Sequence, residues 1–583
     1  MITNIPRHEH PNPQFMRQNW MNLNGEWQFE MDFNQSGEEK KLYKKDLKDK
    51  ITVPFCPESD LSSIGYKDFI PAVWYKKVVH LSGQWTKNRV LLHFGAVDYE
   101  TKVWVNDHYI GTHRGGYSSF HFDISDALTT GDNTIVVYAK DDLRQYNQPG
   151  GKQSQKYYSH GCMYTRTTGI WQTVWLESVP HTFISSTKYY TNIEEGVITL
   201  TGTVIGDVSN KRLKCQASYK GKPMDSAIVS LDAQTFNTQL KLSEIHLWEV
   251  GKGRLYDLEL ILVENDKNID VVNSYFGLRS LKLAGQKFLI NNQSIFQRLI
   301  LDQGFYPDGI YTAPTDEALK ADIQYSLDMG FNGARLHEKV FEKRFLYHAD
   351  QMGYLVWGEY PNWGLELSED ALNIALPEWL EVVERDFNHP SIIGWCPLNE
   401  TSKEQTNSVV ESIYSITKMM DTTRPVIDTS GYVHVATDIY DVHNYEQDPT
   451  IFKATYDVLK KGEVPNDFNR DPYLPYDCKI PYFVSEYGGI KWHVDSKDKY
   501  TYLIEDGTEW GYGNAPKTEE EFIDRYKGLT DALLDNPHMF AFCYTQLCDV
   551  EQEVNGLYTY DRRPKFDPET IKTINSRKAA IED

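Results

Sequence analysis

The sequence predicts three domains in series: an antiparallel β-sandwich over residues 1–183, a second sandwich of immunoglobulin-like type over 184–281, and a (β/α)8 TIM barrel over 282–583. Three observations predict it. At roughly 150 residues per domain, a chain of 583 residues holds about four domains, or three when one is a large barrel. The first half carries short runs of alternating apolar and polar residues, broken by Gly, Asn and Asp. The second half changes rhythm, each apolar strand-like run being followed by a helical one.

Between Trp20 and Val179 the runs VWYKKVVHL (73–81), RVLLHFGAV (89–97), KVWVNDHYIG (102–111) and NTIVVYAKD (133–141) recur at the spacing of an antiparallel sandwich. A second group, from Ser185 to Leu281, contains VITLTGTVIG (197–206), RLKCQASYKG (212–221) and LYDLELILVEN (255–265). Its roughly 95 residues are the length of one immunoglobulin-like sandwich, and no chemistry is visible in it.

After Lys282 the strands are separated by helices. IFQRLILD (295–302) precedes a helix over 315–330, in which Thr315 is the N-cap, Leu319, Ile323 and Leu327 share one face, and Gly330 is the stop. The strand FNGARLH (331–337), a helix over 341–353 and the strand YLVWGEY (354–360) follow. Then come IIGWCPLNE (392–400), a helix near 406–420, RPVIDTS (424–430), IYDVHNY (439–445), YFVSEYGG (482–489), a helix over 519–534 and MFAFCYTQLCD (539–549). Eight strands in about 300 residues predict a closed barrel, whose functional residues lie at the C-terminal ends of the strands.

Composition narrows the chemistry. With 60 Lys+Arg against 83 Asp+Glu the formal net charge is −23, which argues against a nucleic-acid partner or an anionic membrane surface and for a neutral or cationic ligand. Hydrophobic residues make up 40% and aromatic residues 13%, with 38 Tyr and 14 Trp, so cores can form and flat side chains suited to sugar rings are plentiful. The 7 cysteines include no Cys-x-x-Cys pair, so reduced thiols are expected, and Cys396, Cys543 and Cys548 read as small buried hydrophobes. Residues 1–15 lack the apolar stretch of a secretory signal, and no run reaches the roughly 18 apolar residues of a membrane span. A cytoplasmic protein is the expectation.

The candidate site is the set of polar residues that close apolar strands. These are Arg335 and His337 on the second strand, Glu359 on the third, Asn399 and Glu400 on the fourth, His443 and Tyr445 on the sixth, Glu486 on the seventh, and Tyr544 with Gln546 on the eighth. Glu400 and Glu486 stand out, because the fourth and seventh strands of a barrel face each other across its mouth. Glycoside hydrolysis needs such a pair: one carboxyl protonates the leaving oxygen, and the other attacks the sugar or activates water. A separation of about 5–5.5 Å means retention of anomeric configuration and roughly 6.5–9.5 Å means inversion. A single glutamate at a strand end is commonly structural, paired with Arg; Arg335 suits that role and would also lower a nucleophile's pKa. His337 and His443 suit packing and sugar hydroxyls equally. A barrel that binds glycan without turnover is the competing class, against which both glutamates stand in their expected contexts. A His-Glu-x-x-His helix, a Gly-x-Ser-x-Gly elbow and a Walker loop are all missing from the sequence, so the hydrolases they mark have little support.

Four segments in order, TTGIWQTVWLE (167–177), WCPLNE (395–400), FVSEYGG (483–489) and EVNGLYTYDRRPK (553–565), resemble family 2 of the glycoside hydrolases, the group of β-galactosidases, β-glucuronidases and β-mannosidases. The resemblance spans nearly the whole chain. It implies that the first sandwich is a jelly-roll sugar-binding domain and that the barrel works by double displacement through a covalent glycosyl-enzyme. It implies Glu400 as general acid/base, Glu486 as nucleophile, Asn399 on the sugar 2-hydroxyl, Tyr445 holding the nucleophile and Arg335 beside it. Glu400 is then expected to start protonated near neutral pH, raised by burial and by the Glu486 charge.

Two departures bear on the substrate. The β-glucuronidases carry an Asn-x-Lys pair for the sugar carboxylate where this chain reads Glu553-Val554-Asn555-Gly556, so a uronic acid is expected to meet Glu551 and Glu553 at a coulombic cost. After the first barrel strand, LDQGFYPDG (301–309) replaces the His-Glu pair of well-known members, and Asp302 and Gln303 are expected to contact sugar hydroxyls instead. The expectation is an exo-β-glycosidase for a neutral hexoside, β-galactoside first, with glucuronide, mannoside, glucoside and arabinoside behind it, and with no cofactor and no metal. Trp357, Trp363, Trp492 and Trp510 are candidates for stacking on a sugar ring. The loop 157–166 is either a plain hairpin or a cover for the barrel mouth or a neighbouring subunit, and a homo-oligomer is compatible with the sequence.

Overall fold

Alternation of the kind read from residues 20–179 buries one face of each strand, and two sheets sharing those faces result. In the computed structural model, which describes residues 5–145, 148–466, 473–494 and 509–582, a six-stranded antiparallel sheet lies over a four-stranded one, Trp20–Asn22, Val174–Val179, Arg89–Phe94 and Phe120–Asp123. Trp27, Phe29, Tyr75, Leu92, Phe94, Val137 and Leu176 fill the space between them. The run 102–111 is not one strand. Asn106 and Asp107 adopt left-handed φ angles of 48° and 68° and fold it into a two-residue hairpin. The second sandwich sets three strands against four around Leu200, Leu213, Tyr256 and Leu260, with Leu213, Cys215 and Ala217 inward and their neighbours outward.

The barrel strands are β1 (Gln297–Asp302), β2 (Gly333–Leu336), β3 (Leu355–Glu359), β4 (Ile392–Cys396), β5 (Tyr440–Asn444), β6 (Tyr482–Gly488) and β7 (Met539–Thr545). They form one parallel sheet in the order β4-β3-β2-β1-β7-β6-β5. Seven of the eight expected strands are therefore present as strands. The run 424–430 lies between β4 and β5 but pairs on the β4 side through isolated parallel bridges, Trp395 to Val426 and, just past β4, Asn399 to Ser430. Its chemistry explains why. Pro425 has no N–H to give, and the Val426 N–H donates to the Asp438 carboxylate at 2.9 Å. Side chains thus occupy backbone groups that a ladder would use. The wall is completed on the β5 side by Ser430 Oγ donating to Asp441 at 2.6 Å.

The expected helices appear as Asp316–Asp328, Lys343–Met352, Asn407–Met420 and Glu519–Leu534. Thr315 caps the first by accepting from the Ala318 N–H at 3.2 Å. The two sandwiches reach opposite ends of the barrel, the first also lying against the helix Ala371–Asp386 through Tyr117 and Ser118. Arg279 of the second donates to the carbonyls of Pro390 and Ile392 at 2.6 and 2.8 Å, where β4 begins, and Trp248 donates to the Asp350 carbonyl at 2.8 Å. The first reaches the C-terminal ends of the strands. Gly150 and Gly151 donate to the Trp363 carbonyl, just beyond β3, at 2.7 and 3.1 Å. Among the described residues no helix is long and apolar enough to cross a membrane. All seven cysteines are free thiols, Cys396, Cys543 and Cys548 buried.

Candidate active site

Every residue of β6 is buried, so a carboxylate on it must find partners inside the protein. Glu486 finds two cationic or donor groups at once. Arg335 Nη1 lies 3.0 Å from its Oε1, and the Tyr445 hydroxyl donates to its Oε2. The other arm of Arg335, Nη2, holds buried Glu359 at 2.6 Å and reaches Asn399 Oδ1 at 3.3 Å. One guanidinium on β2 therefore ties together β3, β4 and β6. Burial pushes the Glu486 carboxyl up, but the charges of His443, Arg335 and Lys152 outweigh it and hold the group well below the ordinary carboxylate range. Glu359 behaves alike: burial raises it, and Arg335 with His337 brings it down to about 2.

Glu400 follows the end of β4 in a left-handed conformation, φ 50°, which strains a residue with a side chain by about 1–3 kcal/mol. Hydrogen bonds hold it there. Its N–H donates to the Ser430 carbonyl at 2.9 Å, and the Asn362 side chain clamps the preceding residue, accepting from Asn399 N–H at 2.7 Å and donating to the Asn399 carbonyl at 3.2 Å. His443 stands between the two glutamates. Its Nδ1 is 2.7 Å from Glu400 Oε1, and its Nε2 is 3.4 Å from Glu486 Oε1 and 3.1 Å from Ser430 Oγ. Burial lowers the imidazole pKa, while Glu486 and Glu400 raise it by more, so the net direction is upward. Gly431 leaves room for this ring: its φ is +87°, and a Cβ there would sit 2.3 Å from His443. Asn399 Nδ2 is buried without a hydrogen-bond partner among the described residues, a donor left for something to fill.

The structure thus brings together Arg335, His337, Asn399, Glu400, His443, Tyr445 and Glu486. His337 enters through its 2.7 Å bond to Glu359, and burial lowers its pKa. Trp510 stands at the rim, edge-on to Tyr512 at 4.8 Å, and Tyr512 stacks flat on the Tyr445 ring at 3.3 Å.

Four expected contacts are placed elsewhere. Asp302 accepts from the Gly304 N–H at 2.9 Å and lies by Asp322, Arg562 and Lys339, where burial with the Asp322 charge lifts it to about 7. Tyr544 packs against Tyr526 and Tyr487 at 4.9 and 5.5 Å, in the layer between sheet and helices. The side-chain period of two explains the miss: on β7 it is the next residue, Thr545, that lies 3.1 Å from the Tyr445 hydroxyl. Trp357 is buried inside the barrel, its Nε1 on Gln297 at 3.0 Å, and Trp492 packs on Phe522 and Phe566. Both are core.

Sequence reasoning missed Lys152, Asn362, Ser430, Tyr512 and Thr545. Lys152 comes from the first sandwich, and its ammonium sits 3.6 Å over the Trp363 ring. Only the Pro-Gly-Gly turn at 149–151 could have marked that segment. The loop 157–166 does cover the barrel mouth. Ser159 donates to Glu551, Tyr164 donates to Glu553, and Gln552 Nε2 donates to the carbonyls of Gly161 and Met163 at 2.7 and 3.1 Å. Glu551 also accepts from the Thr165 N–H at 3.1 Å, and Glu553 from Asn555 at 2.9 Å.

Glu400, His443 and Glu486 each present an atom within 4.8 Å of the others, so among the described residues they are the group that could hold a metal ion. Arg335 and Tyr445 already donate to Glu486, and a cation there would have to displace or oppose them. A cavity of about 560 Å³ where the three domains meet, lined by Arg17, His93, Trp175 and Arg385, holds neither glutamate.

Two sandwiches, a parallel barrel and facing carboxylates define a glycoside-hydrolase architecture, and comparison with known proteins gives its family. The chain matches "Glycosyl hydrolases family 2, sugar binding domain" over residues 60–180, "Glycosyl hydrolases family 2" over 182–279 and "Glycosyl hydrolases family 2, TIM barrel domain" over 282–578. It belongs to glycoside hydrolase family 2. It is similar to a β-galactosidase of Thermoanaerobacter pseudethanolicus, 25% identical over 75% of this chain and 56% of that one, and to a β-glucuronidase of Mus musculus, 25% identical over 70% and 68%. The chain spans between about half and two thirds of the length of such curated relatives. A solved β-glucuronidase from Ruminococcus gnavus in complex with D-glucuronic acid shares the fold, with a TM-score of 0.78 at 18% identity over 97% of this chain and 99% of that one.

Proposed function

We propose that this chain is a retaining exo-β-glycosidase in which Glu486 is the nucleophile and Glu400 the general acid/base. The observation that carries it is the spacing of the pair. An oxygen of Glu400 and one of Glu486 lie within 4.8 Å of each other with the His443 ring between them, a close approach that supports the closely spaced pair of a retaining enzyme. In the first step a Glu486 oxygen bonds to the anomeric carbon as Glu400 gives its proton to the departing oxygen. In the second, Glu400 takes a proton from water, the water oxygen bonds to the anomeric carbon, and the Glu486–sugar bond breaks. Arg335 and Tyr445 keep Glu486 ionised and oriented. Asn399 Nδ2 supplies a donor for the 2-hydroxyl, where a bond that tightens in the oxocarbenium-like transition state lowers the barrier.

The neutral glycone expected from the sequence rested on Glu551 and Glu553 opposing a sugar carboxylate. Both are engaged by the hairpin of the first sandwich, Glu551 by Ser159 and Thr165 and Glu553 by Tyr164 and Asn555. With that obstacle reduced, and with β-glucuronidases among the relatives, a terminal β-glucuronide is the glycone we favour and a β-galactoside the second reading. The test is release of nitrophenol from aryl β-D-glucuronide, galactoside, glucoside, mannoside and α-L-arabinoside. Glu486→Ala should lose at least roughly 10⁴-fold in kcat/KM and recover turnover with azide, giving a glycosyl azide of inverted configuration. Glu400→Ala should spare activated aryl glycosides and fail on alkyl ones; equal loss on both would remove Glu400 from the acid role.

A further inference from the structure

We propose that Lys152, delivered by the first sandwich into the barrel mouth, is the specificity-determining residue of this site and pairs with a carboxylate on the terminal sugar ring. The inference rests on the retaining-glycosidase reading and gives it a residue that reads the substrate's charge.

The segment Gln148-Pro149-Gly150-Gly151-Lys152 is fixed from both sides. Gly150 and Gly151 donate to the Trp363 carbonyl, and the Lys152 carbonyl accepts from the Tyr164 N–H at 2.7 Å. Gly151 permits the approach: its φ is +54°, and a Cβ would lie 2.3 Å from the Glu338 carbonyl of the barrel. Lys152 is 5% exposed, and its ammonium caps the Trp363 ring, which follows the Asn362 that clamps Asn399. It is therefore tied through Trp363 and Asn362 to the Asn399–Glu400 pair that follows β4.

The charges around it are those of the site. Cys162, Glu400, Glu553 and Glu486 lie in the field of the ammonium. Each of the three carboxylates has donors of its own: Glu486 has Arg335 and Tyr445, Glu400 has His443, and Glu553 has Tyr164 and Asn555. Burial pushes Glu553 toward its neutral form. Arg335 is paired with Glu359 and Glu486, and among the described residues no carboxylate makes an ion pair with Lys152. When the glycosyl-enzyme forms, the charge of Glu486 is consumed, and the surplus of positive charge grows. A substrate carboxylate restores the balance in a buried site, where an uncompensated cation is costly.

The experiment compares the full chain with Lys152→Met and Lys152→Arg on aryl β-D-glucuronide and aryl β-D-galactoside, after thermal melts establish that each variant is folded. The expected result is a fall in the glucuronide-to-galactoside ratio of kcat/KM by roughly 10²-fold in Lys152→Met, mainly through KM, with partial recovery in Lys152→Arg. If Lys152→Met does not fold, Lys152→Gln gives the same ratio. A parallel loss on both substrates, or an unchanged ratio, overturns the inference. Wild-type turnover of neutral glycosides alone overturns it too while the roles of Glu400 and Glu486 survive. Turnover that persists in Glu486→Ala sinks that underlying reading, and the inference with it.

Discussion

The two β-sandwiches are built by the same rule and serve the barrel differently. Both alternate inward and outward residues, and both hold apolar cores of aromatic and branched side chains. The second meets the barrel where β4 begins, through Arg279 and Trp248 binding backbone carbonyls. The first meets it where the strands end, through Lys152, Ser159 and Tyr164, and its contacts reach the loops that carry Glu551 and Glu553. In a parallel barrel these ends are not equivalent: loops at the C-terminal ends hold the chemistry, and the opposite face supports stability. A sandwich docked below can change freely in what it contacts so long as it packs, whereas one docked above becomes part of the site.

The sharpest way to break this contrast is Arg335→Met. It strands two buried carboxylates at the top of the barrel, so it should destabilise by about 3–5 kcal/mol in chemical denaturation and abolish turnover. Acid gives the next effect. Glu359 is depressed to about 2 from an unfolded value near 4.5, so its contribution is present above about pH 4.5 and is lost as pH falls toward 2. For this fully buried group the loss is about 3 kcal/mol, read as a falling midpoint in denaturant titrations between those pH values; a midpoint that stays flat would deny the Arg335–Glu359 pairing.

A matched pair of variants then separates the two docking ends. Tyr164→Phe, at the top, should cost about 1–3 kcal/mol by leaving Glu553 short of a donor and should also lower kcat/KM by roughly 10-fold. Arg279→Met, at the bottom, should cost a similar stability while kcat/KM of the folded enzyme stays within about 2-fold. Equal kinetic losses in both would erase the distinction. The smallest effect is Ile228→Ser on the outer face of the second sandwich, 61% exposed, which should lie within about 0.5 kcal/mol in stability.

Much of this was legible in the chain. Strands with period two and helices closed by Thr315 and Gly330 announced themselves because local burial and capping depend on neighbours in sequence. The run 424–430 falls short of a strand because Pro425 lacks an N–H and Asp438 takes that of Val426, an effect of side chains rather than of pattern. The sequence points to Tyr544 and not Thr545 because the run MFAFCYT, almost wholly apolar, does not reveal which phase faces inward. Net charge is blind in a similar way, since −23 describes the whole chain and says nothing of a buried ammonium over Trp363.

By itself, the sequence determined the order of the three domains, the two glutamates at strand ends and the arginine, asparagine and tyrosine that accompany them, because each is set by local periodicity and by short motifs. Only the tertiary structure decided that the two glutamates share His443, that Glu551 and Glu553 are spoken for by the first sandwich, and that Lys152 stands over Trp363. The last two join residues some 200 to 400 positions apart, and such distances are closed only when separate hydrophobic cores pack together and carry their loops with them.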